Sequence, residues 1–517
     1  MALKKLPIGL QTFSELITEN YYYVDKTPFV EKLANEGKYY FLSRPRRFGK
    51  SLLLSTLKSA FLGEQTLFKG LYLENNWDWS KQYPVIHLSF GGGGASSVHI
   101  LYQIIQFNLD SCAKQYNIQL SNNYPPNRFG ELIQALYEQT GMPVVILIDE
   151  YDKPILDNLK KPDFAETIRD ELKNLYAVIK DHDTYIKFAL LTGVSKFSKV
   201  SLFSGLNNLR DISLNPDYAS LCGYTEAEIK QVFAERLEGV DFKKLARWYN
   251  GYNFLGENVY NPFSILLYLD SKEFDNYWFE TGSPSFLLKL IKSGQYAAPD
   301  LENISLTKSC LGSFDINDIT LETLLFQTGY LTIKSVESFG GDKLFHLSYP
   351  NQEVKASLNQ YLLSDLIRGN PSDNAKNRMA MYKALQQADF VSLKQTIVRL
   401  FASIPHDWYR KNQMSHYEGY DASIIYSCFC AFGFTVIAED STNKGRIDLT
   451  VMLDNKVFII EFKALDEQAE QGTALAQIKA KNYQQKYLTT EKELFLIGME
   501  FDKQQRNLVF FETEKVS

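Results

Sequence analysis

The first 215 residues alternate short, wholly apolar runs with longer stretches of helical period. Tyr39–Leu42, Val85–Phe90, Val144–Ile148 and Ile186–Leu191 have strand length and are rich in β-branched or aromatic residues. Between them, Ser51–Phe61, His99–Tyr116 and Phe129–Gln139 repeat their apolar positions at helix spacing. This alternation predicts a mostly parallel sheet covered by helices. From about residue 220 to 355 the pattern turns mainly helical, with Thr225-Glu-Ala-Glu228 as a helix start carrying an acidic first turn. Asn250-Gly-Tyr-Asn-Phe and Asn261-Pro-Phe mark turns, and Phe326–Ile333 reads as a helix end followed by a short strand, as in a small winged module. Residues 356–410 read as helices, with Gly369–Asn374 as a flexible link. The last hundred residues give an α-β-β-α-β order. A helix over Ser415–Tyr426 leads to strands Asp448–Leu453 and Val457–Ile460, which the turn Asp454-Asn-Lys456 joins; a helix from Ala474 to Tyr483 and strand Leu494–Met499 follow. The expected domains are therefore 1–215, 216–355, 356–410 and 411–517.

Length agrees with several domains, because 517 residues exceed what one hydrophobic core normally organises. The net charge of -6 argues against a wholly basic nucleic-acid coat, yet leaves room for a local basic channel. The five cysteines, at 112, 222, 310, 428 and 430, have no repeated metal spacing and read as buried thiols of a reducing compartment. No apolar segment precedes Pro7 as a secretory signal would, and no run approaches a bilayer span. A soluble, cytoplasmic protein without a membrane partner is the expectation.

Chemistry concentrates at two places about four hundred residues apart. In the first, Tyr39-Tyr-Phe-Leu-Ser runs into Arg44-Pro-Arg46-Arg47-Phe-Gly49-Lys50-Ser51. A phosphate-binding loop needs backbone N–H groups turned toward anionic oxygens and a helix N-terminus behind them. Gly49 permits close backbone approach, Lys50 can reach the β- and γ-phosphates, and Ser51 can place its hydroxyl on Mg²⁺. The usual spacing would put a glycine at position 44, where this chain has Arg44, so a basic turn before a helix is the competing reading. Strand Val144–Ile148 then ends in Asp149 and Glu150. Asp149 could hold Mg²⁺ through water and Glu150 could orient an attacking water; Asp149 as a plain helix cap is the alternative.

The second place is Gly445-Arg-Ile-Asp448 followed by Val457-Phe-Ile-Ile-Glu461-Phe-Lys463. Side chains alternate along a strand, so Glu461 and Lys463 share a face while Phe462 points away. Asp448, on the adjoining strand of the hairpin, can converge with Glu461 on one divalent metal, and Glu418 on the preceding helix could add a third carboxylate. Such a metal acidifies water and offsets charge on a scissile phosphate. Lys463 would orient the water or stabilise the transition state. Gln477 and Lys481 lie one turn apart on the helix beyond. An ion-paired rim without chemistry is the bland alternative.

These features together resemble bacterial proteins that join an AAA-ATPase-like domain to a PD-(D/E)XK nuclease-like domain. The resemblance rests on Tyr23-Val-Asp25-Lys26-Thr27, Ser43–Ser51, Ile148-Asp-Glu-Tyr-Asp-Lys-Pro154 and Leu191-Thr-Gly-Val-Ser-Lys196. Trp248-Tyr-Asn-Gly-Tyr252, Tyr260-Asn-Pro262 and Gly329-Tyr-Leu-Thr332 add to it. It implies an α/β protein with an N-terminal P-loop ATPase domain, a helical or winged middle region and a C-terminal PD-(D/E)XK nuclease-like α/β domain. Lys50 and Ser51 would be Walker A residues, Asp149 and Glu150 Walker B residues, and Thr192 or Ser195 a sensor of the γ-phosphate. Arg46, Arg47 and Arg210 would be candidates for phosphate or inter-subunit contacts. Asp448, Glu461 and Lys463 would form the nuclease signature, with Gln477 and Tyr483 as accessory residues; Ile447 stands where the signature has proline. The implied activity is an ATPase coupled to Mg²⁺-dependent DNA cleavage, with ATP and Mg²⁺ as cofactors and Mn²⁺ as a substitute at the nuclease site. The implied partners are nucleic acid, DNA foremost, and further copies of the chain. Two rivals stand beside it: a regulatory ATPase whose C-terminal domain binds nucleic acid or protein without cutting, and a nuclease whose nucleotide-binding domain hydrolyses slowly or not at all, which Arg44 in place of the loop glycine keeps open.

Overall fold

The computed structural model describes residues 3–196, 202, 206, 208–279, 298–311, 316, 320–366, 371–402, 404, 419–465, 471–488, 490–502 and 504–516. The chain divides into two compact units, one of residues 1–282 with 305–351 and the other of residues 283–304 with 352–517. Of residues 216–355, 216–282 and 305–351 fall in the same unit as the phosphate loop, and 283–304 and 352–355 in the other.

In the first unit five parallel strands, β1 (Tyr39–Ser43), β2 (Val85–Ser89), β3 (Val144–Asp149), β4 (Ile186–Gly193) and β5 (Arg210–Asp211), are ordered β2-β3-β4-β1-β5. β3 is buried at every position, which accounts for its unbroken apolar sequence. Helices Lys50–Phe61, Val98–Gln115, Pro125–Thr140 and Pro162–Asp181 alternate with the strands. The last of these buries Ala165, Ile168, Leu172, Leu175 and Ile179, a stripe of helical period. The order places β4 between the strand that leads into the loop and the strand that ends in Asp149. Register sets Ser43 beside Gly193 and Ile148 beside Leu191, so three strand ends share one carboxyl edge. Ligands of open parallel sheets bind at that edge.

The rest of this unit is mainly helical. Thr225 and Glu228 make a reciprocal capping box at the start of helix Glu226–Val232, and Asn261 caps helix Pro262–Ser271. Helix Leu321–Thr328 precedes a hairpin of β7 (Thr332–Phe339) and β8 (Asp342–Ser348), which β6 (Ile304–Thr307) extends in the order β6-β8-β7. That helix ends at Gly329, at φ +91°, where an added Cβ would come within 2.6 Å of Pro45. The signature glycine therefore lets the helix end press on the phosphate loop.

In the second unit, helices Gln352–Leu366, Pro371–Gln387, Phe390–Ala402 and Gly419–Ala431 accompany a five-stranded sheet. Its strands are β9 (Thr435–Thr442), β10 (Gly445–Leu453), β11 (Lys456–Leu465), β12 (Glu493–Asp502) and β13 (Asn507–Lys515), ordered β13-β12-β11-β10-β9. β11 and β12 pair in parallel and the other neighbours antiparallel, the parallel step being bridged by helix Thr473–Lys481. β9 and β13 add a strand at each edge to the expected core. No described helix is long and apolar enough to cross a membrane.

Candidate nucleotide and nuclease sites

Arg47 at φ +66° and Gly49 at φ +92° turn the loop into helix Lys50–Phe61. The Lys50 ammonium donates to the carbonyls of Arg44 and Pro45, at 2.9 Å each, and its burial lowers its proton affinity. Ser51 Oγ donates to Asp149 Oδ2 at 2.5 Å. The other Asp149 oxygen accepts from Thr192 Oγ at 2.7 Å and from the Glu150 N–H at 3.0 Å. Ser51, Asp149 and Thr192 thus form one hydrogen-bonded set drawn from the loop, β3 and β4. Glu150 follows at φ +52°, its carboxylate beside Gly91; burial and the neighbouring Asp149 raise its pKa.

Arg44 occupies the position of the missing glycine and turns away from this set into the protein. Its guanidinium donates to the carbonyls of Ser43 (2.9 Å), Ser213 (2.6 Å) and Tyr218 (3.1 Å) and lies 3.9 Å from the Phe254 ring centre. Burial pushes its pKa down to about 10. Arg46 and Arg47 are exposed; Arg47 lies over Phe263, and the Arg46 carbonyl accepts from Trp278 Nε1 at 3.1 Å. Arg46, Arg47, Gly49, Lys50, Ser51 and Glu150 all line a cavity of about 570 Å³, with Leu10, Tyr23 and Val24 among its apolar walls. That volume suits a nucleotide-sized ligand.

Ser195 is buried, and its N–H and hydroxyl both donate to Asp152 at 2.6 Å. The structure therefore joins Thr192 to Asp149 and Ser195 to Asp152. Asp25 accepts from the Thr27 and Tyr72 N–H groups, while Lys26 is paired with Glu228 at 2.6 Å. Arg210 pairs with Glu36 at 3.7 Å, beside Tyr40 on β1. Asp152 stands in the Ile148–Pro154 signature with no role read from it, and Trp278 is in none of the signatures; both act through partners tens of residues or more away.

In the second unit the β10–β11 pairing runs as far as Leu449 with Ile460, and Asp448 and Glu461 are the next residue on each strand. Asp448 accepts from the Phe462 N–H at 2.8 Å. Glu461 is fully buried; its Oε1 accepts from Gln477 Nε2 and lies 3.7 Å from the Lys463 ammonium, while Oε2 has no hydrogen-bond partner. Burial foremost, with Asp448 adding to it, pushes the Glu461 carboxyl up to about 8. Tyr483 is buried, and its hydroxyl fills the space that a side chain at Gly445 would need. Glu418 lies outside the described residues. Among the described residues no group of three or more His, Cys, Asp or Glu side chains gathers to hold a metal. Two carboxylates, one with an unpartnered buried oxygen, nevertheless fit a Mg²⁺-type ion, which takes one or two carboxylates and keeps several waters.

Residues 7–203 match the family model described as "Predicted AAA-ATPase", and residues 416–511 match the PD-(D/E)XK nuclease superfamily. A protein of Azotobacter chroococcum mcd 1, named "Uncharacterized protein in vnfD 5'region", is 48% identical over 517 residues, covering 100% of both chains. No solved structure gives a significant match. The chain belongs to the family of that protein, with an N-terminal AAA-ATPase-like domain, a helix-rich middle region and a C-terminal PD-(D/E)XK nuclease-like domain.

Two substitutions test this geometry. Arg44→Gly restores the usual loop spacing but strands three carbonyls, so it should cost about 2–3 kcal/mol in chemical denaturation and not improve nucleotide binding. Glu461 takes up its proton near pH 8 when folded, against an ordinary 4.5. Folding thus favours the protonated form: its stabilisation is complete below pH 4.5 and is lost as pH rises through 8. In metal-free protein at pH 8–9, Glu461→Gln should therefore raise the melting temperature of the second unit by roughly 5 °C. An unchanged or lower value would count against an ionisable group under strain there.

Proposed function

We propose that this member of the family is a nucleotide-controlled nuclease, in which ATP bound at Lys50, Ser51 and Asp149 governs Mg²⁺-dependent cleavage of DNA at Asp448, Glu461 and Lys463. The observation that carries the reading is the buried Glu461 carboxylate, with one oxygen held by Gln477 and the other unpartnered beside Asp448. Lys463 and Gln477 meet only Oε1, and a buried oxygen left unmet, as Oε2 is, adds nothing to stability, which supports a cation as its partner. A divalent cation held there would acidify water and offset charge on a phosphodiester. Gln477 fixes the Glu461 carboxylate, Asp448 is fixed by the β11 backbone, and Lys463, partly exposed beside them, can neutralise a non-bridging phosphate oxygen. Lys481, exposed at the end of the following helix, suits a polyanion, while Lys479 and Lys486 are paired with Glu514 and Asp440.

At the first site, Lys50 must leave the carbonyls of Arg44 and Pro45 to reach a phosphate. Those loop residues are the ones pressed by Gly329 and joined to Trp278 through the next carbonyl. Nucleotide entry therefore acts on the contact between loop and middle region, which supports control over simple housekeeping turnover. In the hydrolysis reading Glu150 orients the attacking water, while Ser51 and Asp149 hold Mg²⁺ and Thr192 keeps Asp149 in place.

The deciding assay follows plasmid, linear and single-stranded DNA with Mg²⁺ or Mn²⁺, with and without ATP, for wild type, Lys50→Ala and Asp448→Ala. Cleavage should fall by at least about a hundredfold in D448A, and its ATP dependence should vanish in K50A. ATP turnover without cleavage of any substrate would replace this reading with an ATPase that carries a binding domain.

A further inference from the structure

Glu500 is a buried carboxylate that the chemistry above does not use. It lies on β12, which pairs in parallel with β11 so that Glu461 stands beside Gly498 and Lys463 beside Glu500. Register partners in adjacent strands project from the same face, so both β12 residues face the side on which Glu461 meets Gln477. Glu500 Oε2 accepts from the Gly472 N–H at 2.9 Å, and Oε1 accepts from Thr473 Oγ at 3.2 Å and the Ala474 N–H at 2.9 Å. These are the unsatisfied donors of the first turn of helix Thr473–Lys481, and a carboxylate is the group that this helix end favours. At Gly498 the helix backbone comes so close that a Cβ would lie 2.6 Å from the Leu475 nitrogen. One turn further along the same helix, Gln477 reaches Glu461.

We propose that Gly498 and Glu500 are positioning residues of the nuclease site, seating this helix so that Gln477 holds one oxygen of Glu461 and leaves the other for the cation. The proposal rests on the nuclease reading for its purpose, but its geometry can be tested through metal binding alone. Gly498 sets the depth of the helix on the sheet and Glu500 fixes its first turn. A side chain at 498 must lift Leu475 and carry Gln477 away from Glu461. Partners that orient a metal ligand commonly contribute ten- to a hundredfold in metal affinity.

The experiment uses the full chain and measures Mn²⁺ affinity by electron paramagnetic resonance, together with DNA cleavage and melting temperature. The Mn²⁺ site in question is the one lost in Asp448→Ala. Gly498→Ala and Gln477→Ala should each weaken Mn²⁺ binding about tenfold. G498A should add nothing further when Q477A is already present, although its effect on melting temperature should persist in that background. Glu500→Gln, nearly the same shape, covers the case in which G498A does not fold: it should weaken Mn²⁺ binding, and again not beyond Q477A. Unchanged Mn²⁺ affinity in both G498A and E500Q, or effects that add in full to Q477A, would show a merely structural contact and overturn the proposal. If wild type binds Mn²⁺ with the expected coupling but cuts no nucleic acid, the seat stands and the nuclease reading falls. If wild type binds no Mn²⁺ at the Asp448-dependent site, both fall.

Discussion

Burying a carboxylate among apolar strands is costly unless donors meet it, and both halves of this protein are arranged around that constraint. Asp149 closes the wholly buried β3 and is met by Ser51, Thr192 and its own neighbour's N–H. Asp152 is met by the backbone of Val194 and Ser195 and by the Ser195 hydroxyl. In the second unit Asp448 takes the Phe462 N–H, Glu461 takes Gln477, and Glu500 takes the start of a helix. In most of these cases the donor comes from a neighbouring strand, loop or helix. Satisfying each acid therefore also fixes how elements of the same unit lie against one another.

The phosphate loop meets the same requirement with reversed sign. Three arginines in four residues would repel one another if all faced one ligand. Arg44 instead spends its charge on carbonyls of Ser43, Ser213 and Tyr218 and on the face of Phe254. That leaves Arg46 and Arg47 as the exposed pair at the cavity. The absent glycine is thus a substitution of support: an interior guanidinium braces the loop from behind. Gly329 and Trp278 brace it from the middle region, and this accounts for the Gly329-Tyr-Leu-Thr332 signature lying so far along the chain from the loop it serves.

How much of this was legible follows from the range of the interactions. The four long strands of the first sheet were readable to within two residues, because an unbroken β-branched or aromatic run has few other uses. Arg210–Asp211 was not, since two charged residues become a strand only by pairing with Tyr40 and Phe41. β9 and β13 were missed for a related reason: as edge strands they carry Glu, Asp, Thr and Lys among their apolar positions. Helix Pro162–Asp181 carries an apolar stripe as plain in its sequence as those of the helices before it. The local pattern of Glu461 and Lys463 revealed their shared face. Gly498 reads as an ordinary strand residue and Glu500 falls just past the expected strand Leu494–Met499, because the helix turn they support lies more than twenty residues earlier.

Each site pairs a carboxylate whose oxygens are engaged with one less well satisfied. Asp149 accepts at both oxygens, whereas burial and that neighbour raise the pKa of Glu150. Asp448 accepts a strand N–H, whereas Glu461 keeps one oxygen unpartnered and is pushed up to about 8. The two acids follow one another at the end of β3 in one unit and lie within the adjoining strands β10 and β11 in the other, yet each pair yields two groups of different readiness. The engaged acid is held in place by the protein. The other is the one that gains most from a proton, a water or a cation, and adjacent acids held in such unequal environments are how a protein assigns different chemical roles to the same side-chain type. A purely structural ion-paired rim would have no reason to leave that inequality in place twice.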